Sequence, residues 1–501
     1  MLHRHIILAS FAPQHRSTLV MGFAVACSLA ASIGCGPSGT SGSPTTDAST
    51  DSSAQPDMAS GTDSALASDS VSATDAPPEA DAPACDKHLA DGFTQVSSST
   101  TDVNLGAQAA MALDENDDPM FAYFDYKTDD ATVYFIRWDP CAGAFTAPIV
   151  VDAGLGAIVS NPTSRELAIA YDRGTHEIGI AYTKVTPVGP DFAGVTWLAT
   201  KKPAASAFSL QQISSAPQAI SGTSSPNIAM AGGNLYVTYT RANDGCCPAG
   251  TCGTCEGIYL HQSLASGGAD ASGTPHAFSG GMFFGAGDPP RPSTLPHAIA
   301  IDSTGTPGVA FVSDPGSSLG GYDRPFFFWR AGMSAPVLVT NSNNVQNDAP
   351  TINLAFEGTT PRIAGQLFAT ASADYDTTYV ASTDMGSTWS SPVRLPRDGD
   401  ESTGLTSALA SDGAGTLAYV SSDQSGTGAG SCGKSPYVAR STDHGAHWTP
   451  CGADAAMAHA YTVSVVNAAY GKSRLAGTLV IGFQNENLTG ETAGIVYWQG
   501  K

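Results

Sequence analysis

The chain carries one eight-residue pattern twice. Ser382-Thr383-Asp384-Met385-Gly386-Ser387-Thr388-Trp389 and Ser441-Thr442-Asp443-His444-Gly445-Ala446-His447-Trp448 both fit Ser-x-Asp-x-Gly-x-x-Trp, and they lie 59 residues apart. A motif that returns at such a spacing marks a repeated structural unit. Its chemistry is that of a tight turn. Serine and aspartate oxygens are short acceptors for nearby backbone N–H groups. Gly386 and Gly445 can take positive φ at no steric cost. Trp389 and Trp448 then return the chain to an apolar layer with a large side chain to bury.

A looser unit surrounds these turns. It is a short apolar run, a polar Gly/Asp/Pro turn, then a strand rich in aromatic or β-branched residues. Seven copies can be read, starting near Ala109, Glu166, Asn227, Ala298, Thr351, Ser407 and Val463. No long stretch of 3.6-residue periodicity competes with them. The last copy stops at Ile495-Val496-Tyr497-Trp498, after what would be its third strand. Phe93-Thr94-Gln95-Val96-Ser97 is the candidate for the missing fourth. Joining the first and last units in this way removes two exposed sheet edges.

The repeated pattern resembles the Asp-box of sialidase-like (BNR-repeat) β-propellers. The resemblance implies an all-β propeller, with seven blades from the repeat count and six as the alternative. It also implies that the boxes, Ser382, Asp384, Gly386 and Trp389 and then Ser441, Asp443, Gly445 and Trp448, are structural. In such propellers each box joins the third and fourth strands of a blade, away from the active-site face. Asp191-Phe192-Ala193-Gly194-Val195-Thr196-Trp197 reads as an eroded box with one residue too many between Asp and Gly.

The same resemblance sets a catalytic requirement. A sialidase needs three arginines on the substrate carboxylate, a Tyr–Glu pair as nucleophile and an Asp as acid/base. The first arginine normally lies in a Phe/Tyr-Arg-Ile-Pro-like motif, and none stands between Phe93 and Tyr123. Arg291 and Arg324 come too late, and Arg362 follows Pro361 in the wrong order. No Gly-x-Ser-x-Gly elbow, P-loop or His-Glu-x-x-His is present either. The sequence therefore offers no catalytic residue. The expected function is that of a monomeric module binding a glycan or protein. A divergent exo-sialidase-type hydrolase and an envelope scaffold are the alternatives. Asp125-Tyr126, Asp172-Arg173 and Asp323-Arg324 are the polar groupings that would suit an acidic sugar, and turn chemistry with surface ion pairs is the commoner reading of them. No cofactor is expected. The Asp114–Asp118 run could hold Ca²⁺ through oxygen ligands, but it lacks EF-hand spacing and reads better as a solvated hairpin. His444 and His447, inside the second box, read as surface residues.

The N-terminus looks like an export signal. His3, Arg4, His5 and Arg16 precede an apolar run over 19–31, too short for a membrane span of about 20 residues. Ser32-Ile33-Gly34-Cys35 follows and resembles a bacterial lipobox, with Ser32 in place of the usual Leu. Residues 1–35 are thus expected to be a signal peptide with lipid attachment at Cys35; Cys27 is a weaker candidate, and a soluble secreted protein the alternative. More than one acyl chain gives stable anchoring to a membrane. Residues 36–84 contain no Lys or Arg and carry −8, a composition that cannot bury a core and predicts a disordered tether. Residues 85–501 are the propeller, at −17 of the total −23. Such a charge argues against nucleic acid as partner.

Eight cysteines remain after Cys27 and Cys35, an even count that favours disulfides in an exported chain. Cys85 with Cys141 would clamp the start of the domain to its first blade. Cys432 with Cys451 would bracket the second box. Cys246, Cys247, Cys252 and Cys255 would form two bridges in one loop. Cys252 and Cys255 also have zinc-like spacing, but the adjacent pair followed by Pro248 suits tetrahedral ligation poorly. No metal site is therefore expected.

Overall fold

The structure is a computed structural model. It describes residues 85–99, 108–127, 130–155, 166–188, 191–214, 222–242, 257–266, 276–277, 296–312, 326–340, 351–366, 377–395, 406–421, 436–450, 463–485 and 493–500. The chain divides between Pro77 and Pro78, and every described residue belongs to the second unit. Among the described residues there is no helix. Cys35, Cys246, Cys247, Cys252, Cys255, Cys432 and Cys451 lie outside them, as do Arg291, Asp323 and Arg324.

The described strands form seven antiparallel sheets. Blade 1 contains Ala109–Leu113, Pro119–Lys127 and Asp130–Asp139, with Ala144–Phe145 and Ile149–Asp152 both paired to its third strand. Blade 2 runs Leu167–Asp172, Glu177–Val188, Asp191–Lys201 and Ser209–Gln212. Blade 3 runs Gly222–Ala231, Asn234–Ala242, Gly257–Ser263 and His276–Ala277. Blade 4 runs His297–Ile301, Pro307–Val312, Phe326–Arg330 and Val337–Thr340. Blade 5 holds Ile352–Glu357, Thr360–Gln366, Thr377–Ala381 and Val393–Arg394, and blade 6 Ser407–Ser411, Leu417–Ser421, Tyr437–Ser441 and Thr449–Pro450. The first strand of each blade lies beside the first strand of the next, and that of the last beside that of the first. This closed ring is a seven-bladed β-propeller. The alternative of six blades is excluded, because each of the seven repeats forms its own sheet.

Blade 7 closes the ring. Val463–Tyr470, Leu479–Asn485 and Ala493–Gly500 supply three strands, and Gly92–Ser99 adds the fourth. Phe93 faces Trp498, Thr94 faces Tyr497 and Gln95 faces Val496, with a bulge before Ser97 meets Ile495.

The core is divided among the blade junctions. One apolar cluster fills the space between each pair of neighbouring blades, around the whole ring. Each sheet is therefore covered on both faces, which explains why its central strands read as continuous apolar runs rather than alternating ones. Leu479, Val480, Ile481 and Phe483 in the second strand of blade 7 are all fully buried.

One expectation fails. Residues 191–197 are not an eroded turn. They begin the third strand of blade 2, where Asp191 pairs with Val188 and Trp197 with Tyr182. Thr196 and Val195 are β-formers that extend a long ladder. The aspartate and glycine are strand residues here and cap no turn between third and fourth strands.

Candidate functional site

Antiparallel blades place successive connections at alternate ends. First-to-second hairpins and third-to-fourth turns gather on one face, here termed the hairpin face. The second-to-third and blade-to-blade connections start from the other ends of the strands and lie almost wholly outside the described residues.

The two Ser-x-Asp-x-Gly-x-x-Trp segments are third-to-fourth turns of blades 5 and 6, and they have the same internal bonding. Ser382 Oγ accepts from Gly386 N at 2.8 Å and donates to Asp384 Oδ1 at 2.8 Å. Asp384 in turn accepts from Thr388 N at 2.8 Å and Thr388 Oγ1 at 2.6 Å. In the second turn Ser441 Oγ accepts from Gly445 N at 2.9 Å, and Asp443 Oδ1 accepts from His447 N at 2.9 Å. The indole nitrogens of Trp389 and Trp448 donate to the carbonyls of Gly386 and Gly445. Both glycines have positive φ, 94° and 86°. A Cβ on Gly386 would clash with the ring edge of Phe328 in blade 4, and one on Gly445 with that of Tyr379 in blade 5. Trp389 packs edge-on against Phe328 at 5.3 Å, and Trp448 against Tyr379 at 5.2 Å. Each turn thus seats its blade on an aromatic ring of the preceding blade.

These turns titrate. Hydrogen bonds from Thr388 and Ser382 hold the Asp384 carboxyl down at about 2, and those from His447 and Ser441 hold Asp443 at about 2. A depressed carboxyl stabilises the fold fully above its unfolded value near 3.8 and loses that contribution as pH falls towards about 2. Thermal stability is expected to drop across this window. The Asp384→Asn, Asp443→Asn double variant should show a shallower drop in a melting-temperature profile; a profile parallel to the parent's would contradict the assignment.

Carboxylates on the hairpin face tie one blade to the next. Asp172 of blade 2 accepts from Gly174 N at 2.8 Å and from the backbone N–H groups of Gly232 and Gly233 in blade 3. Asp117 of blade 1 is fully buried and accepts from Lys472, Ser473 and Leu475 N of blade 7, and from Arg173 of blade 2. Burial alone would raise its carboxyl, but Arg173 and these N–H groups outweigh burial and hold it below the ordinary range. Asp118 of blade 1 pairs with Arg474 of blade 7, while Asp302 with Arg330 and Glu357 with Arg362 pair within blades 4 and 5. Arg362 also donates to the Ser382 carbonyl at 2.9 Å. Arg173, Arg330, Arg362 and Arg474 are therefore structural ties. Asp172-Arg173, a grouping that the sequence offered for sugar binding, is split between two such ties. Asp125 is buried in the second strand of blade 1.

The Asp114–Asp118 hairpin is knotted internally rather than open. Asp114 Oδ1 accepts from Asn116 N at 2.9 Å and Asp118 N at 2.8 Å. No group of three or more potential metal ligands occurs among the described residues.

One cavity of about 310 Å³ opens on this face between blades 1 and 2. Blade 1 contributes Asp114, Glu115, Met120 and Arg137; blade 2 contributes Tyr171, His176, Ile178, Lys201, Lys202 and Pro203. The walls have matching construction. Arg137 pairs across its sheet with Met120, and Lys201 with Ile178, so each wall sets a cation beside an apolar residue. Tyr171 donates its hydroxyl to Glu115 and lies 2.8 Å from His176 Nδ1. Burial and the neighbouring Glu115 push the phenol well above its ordinary range. Burial also raises the Asp114 carboxyl. For Glu115 the burial effect is more than offset by hydrogen bonds from Tyr171 and His176, which leave it below the ordinary range. At neutral pH the pocket therefore offers a neutral phenol and a Glu115 carboxylate bonded to it. Arg137, Tyr171 and the adjacent pair Lys201-Lys202 come from three separate stretches of chain with no shared motif, and no local pattern signals that they meet.

The segment before blade 1 is fixed to the same face. Cys85 and Cys141 are joined by a disulfide, Trp138 Nε1 donates to the Lys87 carbonyl at 2.9 Å, and Gln499 Nε2 to that of Leu89 at 2.9 Å.

No protein-family model matches the sequence, and no curated protein matches it. Solved structures do resemble the fold. An ulvan lyase superposes with a TM-score of 0.45 at 12% identity, over 82% of this chain and 94% of that one. A Penicillium chrysogenum alpha-L-arabinanase complexed with arabinobiose gives 0.43 at 9%, over 82% and 98%. A mutant of Trypanosoma rangeli sialidase gives 0.38 at 12% over 66% of this chain, which spans only 53% of that protein's length. At such identity and superposition the likeness assigns no activity, and the seven-blade architecture rests on the strand pairing itself.

Proposed function

We propose that the protein is a membrane-tethered, surface-displayed β-propeller that binds a glycan without chemically altering it, at the pocket between blades 1 and 2. The observation that carries this reading is the state of Tyr171. Its hydroxyl is held protonated and bonded to Glu115, beside the apolar Met120, Ile178 and Pro203. A concave site with fixed polar groups over a buried apolar floor suits a small polar ligand. A phenol with a raised pKa donates a hydrogen bond and is a poor nucleophile at neutral pH. Arg173, Arg330, Arg362 and Arg474 are engaged elsewhere, in the ties at Asp117, Asp302, Glu357 and Asp118. Display rests on the sequence: a lipobox-like Cys35, then the acidic tether over 36–84.

A second reading, a divergent glycoside hydrolase, has one observation in its favour. The Tyr171–Glu115 bond next to the raised carboxyl of Asp114 groups the residue types such a reaction uses. A glycan-array screen of the full-length protein separates the two. Binding without release of sugar is expected. The Tyr171→Phe variant should bind about 5-fold more weakly, for one lost hydrogen bond of ~1 kcal/mol. Turnover of a fluorogenic glycoside, lost on Tyr171→Phe, would replace the binding reading with the hydrolase. Mass spectrometry of the mature N-terminus tests the anchor: an unmodified Cys35 would refute it.

A further inference from the structure

We infer that the pocket between blades 1 and 2 selects an anionic saccharide, taking a carboxylate or sulfate ester between Arg137, Lys201 and Lys202. This rests on the reading of that pocket as a glycan site and names the ligand's charge.

The chain has 22 Lys and Arg against 45 Asp and Glu, so cations are scarce and carboxylates are available to pair with them. Elsewhere pairing is common: Arg173, Arg330, Arg362, Arg474 and Lys184 each lie on an aspartate or glutamate, and Lys87 reaches the Ala142 carbonyl. Arg137, Lys201 and Lys202 have no carboxylate partner among the described residues, and all three line one cavity. The two carboxylates of that cavity are already engaged. Asp114 accepts from two backbone N–H groups, and Glu115 accepts from Tyr171. Three unpaired cations around a concavity repel one another until an anion enters. A guanidinium beside ammonium groups then gives charge-assisted hydrogen bonds to anionic oxygens.

The domain's net negative charge opposes an anion at long range. Beyond a Debye length of about 8 Å at physiological salt that opposition is screened, and inside it the pocket's own charges decide, with Arg137, Lys201 and Lys202 set against Asp114 and Glu115. Pro203 is exposed and supplies apolar surface for the carbon face of a sugar ring, over a floor of the buried Met120 and Ile178. The cavity of about 310 Å³ is of the size of one such ring, with an open mouth for the rest of a chain.

The test is calorimetry on the full-length protein with three sets of oligosaccharides: neutral, uronate-bearing and sulfated. Binding of an acidic set at least tenfold tighter than the neutral one is expected, and the two acidic sets distinguish carboxylate from sulfate. Lys201→Glu with Lys202→Glu should abolish that binding, and Lys201→Gln with Lys202→Gln should weaken it at least tenfold. Both pairs lie at the surface, so an unchanged melting temperature confirms an intact fold. Neutral oligosaccharides binding as tightly as acidic ones, or acidic binding indifferent to charge reversal, would overturn the anionic assignment and leave the glycan site standing. Absence of binding in all three sets would remove the glycan reading along with it.

Discussion

A chain that begins at Gln108 is expected to lose its cooperative unfolding transition and to aggregate. Such a truncation removes Gly92–Ser99 and leaves Ala493–Gly500 as an open edge. An unpaired edge strand is a template for pairing with other chains. Trp498 and Tyr497, which are 1% and 0% exposed, lose the strand that covers them. Phe93 packs on both Trp498 and Phe483, and Leu89 and Val96 belong to the cluster between blades 7 and 1. Losing these three apolar side chains alone costs about 5–9 kcal/mol at ~1.5–3 each, comparable to the ~5–15 kcal/mol that holds a typical domain together. The disulfide at Cys141 goes as well. Size-exclusion chromatography with thermal denaturation checks this. A monomeric truncated protein with the parent's melting temperature would mean that blade 7 is complete without the N-terminal strand.

The second large effect is expected at Asp117. Its carboxylate takes Lys472 N at 2.9 Å, Ser473 N at 2.7 Å, Leu475 N at 2.8 Å and the Arg173 guanidinium, so one buried side chain joins three blades. Asp117→Ala would orphan three N–H groups and one cation. Breaking a buried pair from one side costs ~3–5 kcal/mol, because the remaining partners stay desolvated. The residue also has φ of 65°, a conformation that aspartate and asparagine tolerate better than alanine. Asp117→Asn should therefore fall between parent and alanine variant in urea denaturation. Asp384→Ala, in an exposed turn within one blade, serves as the smaller comparison. Equal losses at Asp117 and Asp384 would show that the inter-blade tie contributes nothing special. Because Asp117 is depressed in the fold, its stabilisation is present above the carboxyl's unfolded value and lost in acid.

The fold was legible because its signals are local. Apolar runs broken by Gly, Asp and Pro turns report each blade from within, as in Ala298–Ile301 leading through Asp302–Thr306 into Val309–Val312. Closure by Phe93–Ser97 was legible by counting strands, since the last repeat was one short. The reading of 191–197 failed for an instructive reason. An Asp, a Gly and a Trp in order also fit a strand, and only pairing with 182–188 decides between the two. The ties across the hairpin face were hidden, since Asp117 and Leu475 are 358 residues apart. Arg362, in the wrong order for a substrate clamp, is bonded to Glu357 and the Ser382 carbonyl, the second a partner 20 residues away that no local pattern names.

Composition and turn chemistry by themselves determined a ring of seven repeated sheets, because each sheet is specified by its own short stretch of chain. The tertiary structure alone decided which charges meet. Arg137 meets Tyr171, Lys201 and Lys202 only once blade 2 is packed on blade 1. Nothing local in the chain encodes that encounter, because side chains on neighbouring blades are brought together by burial of the apolar faces between them.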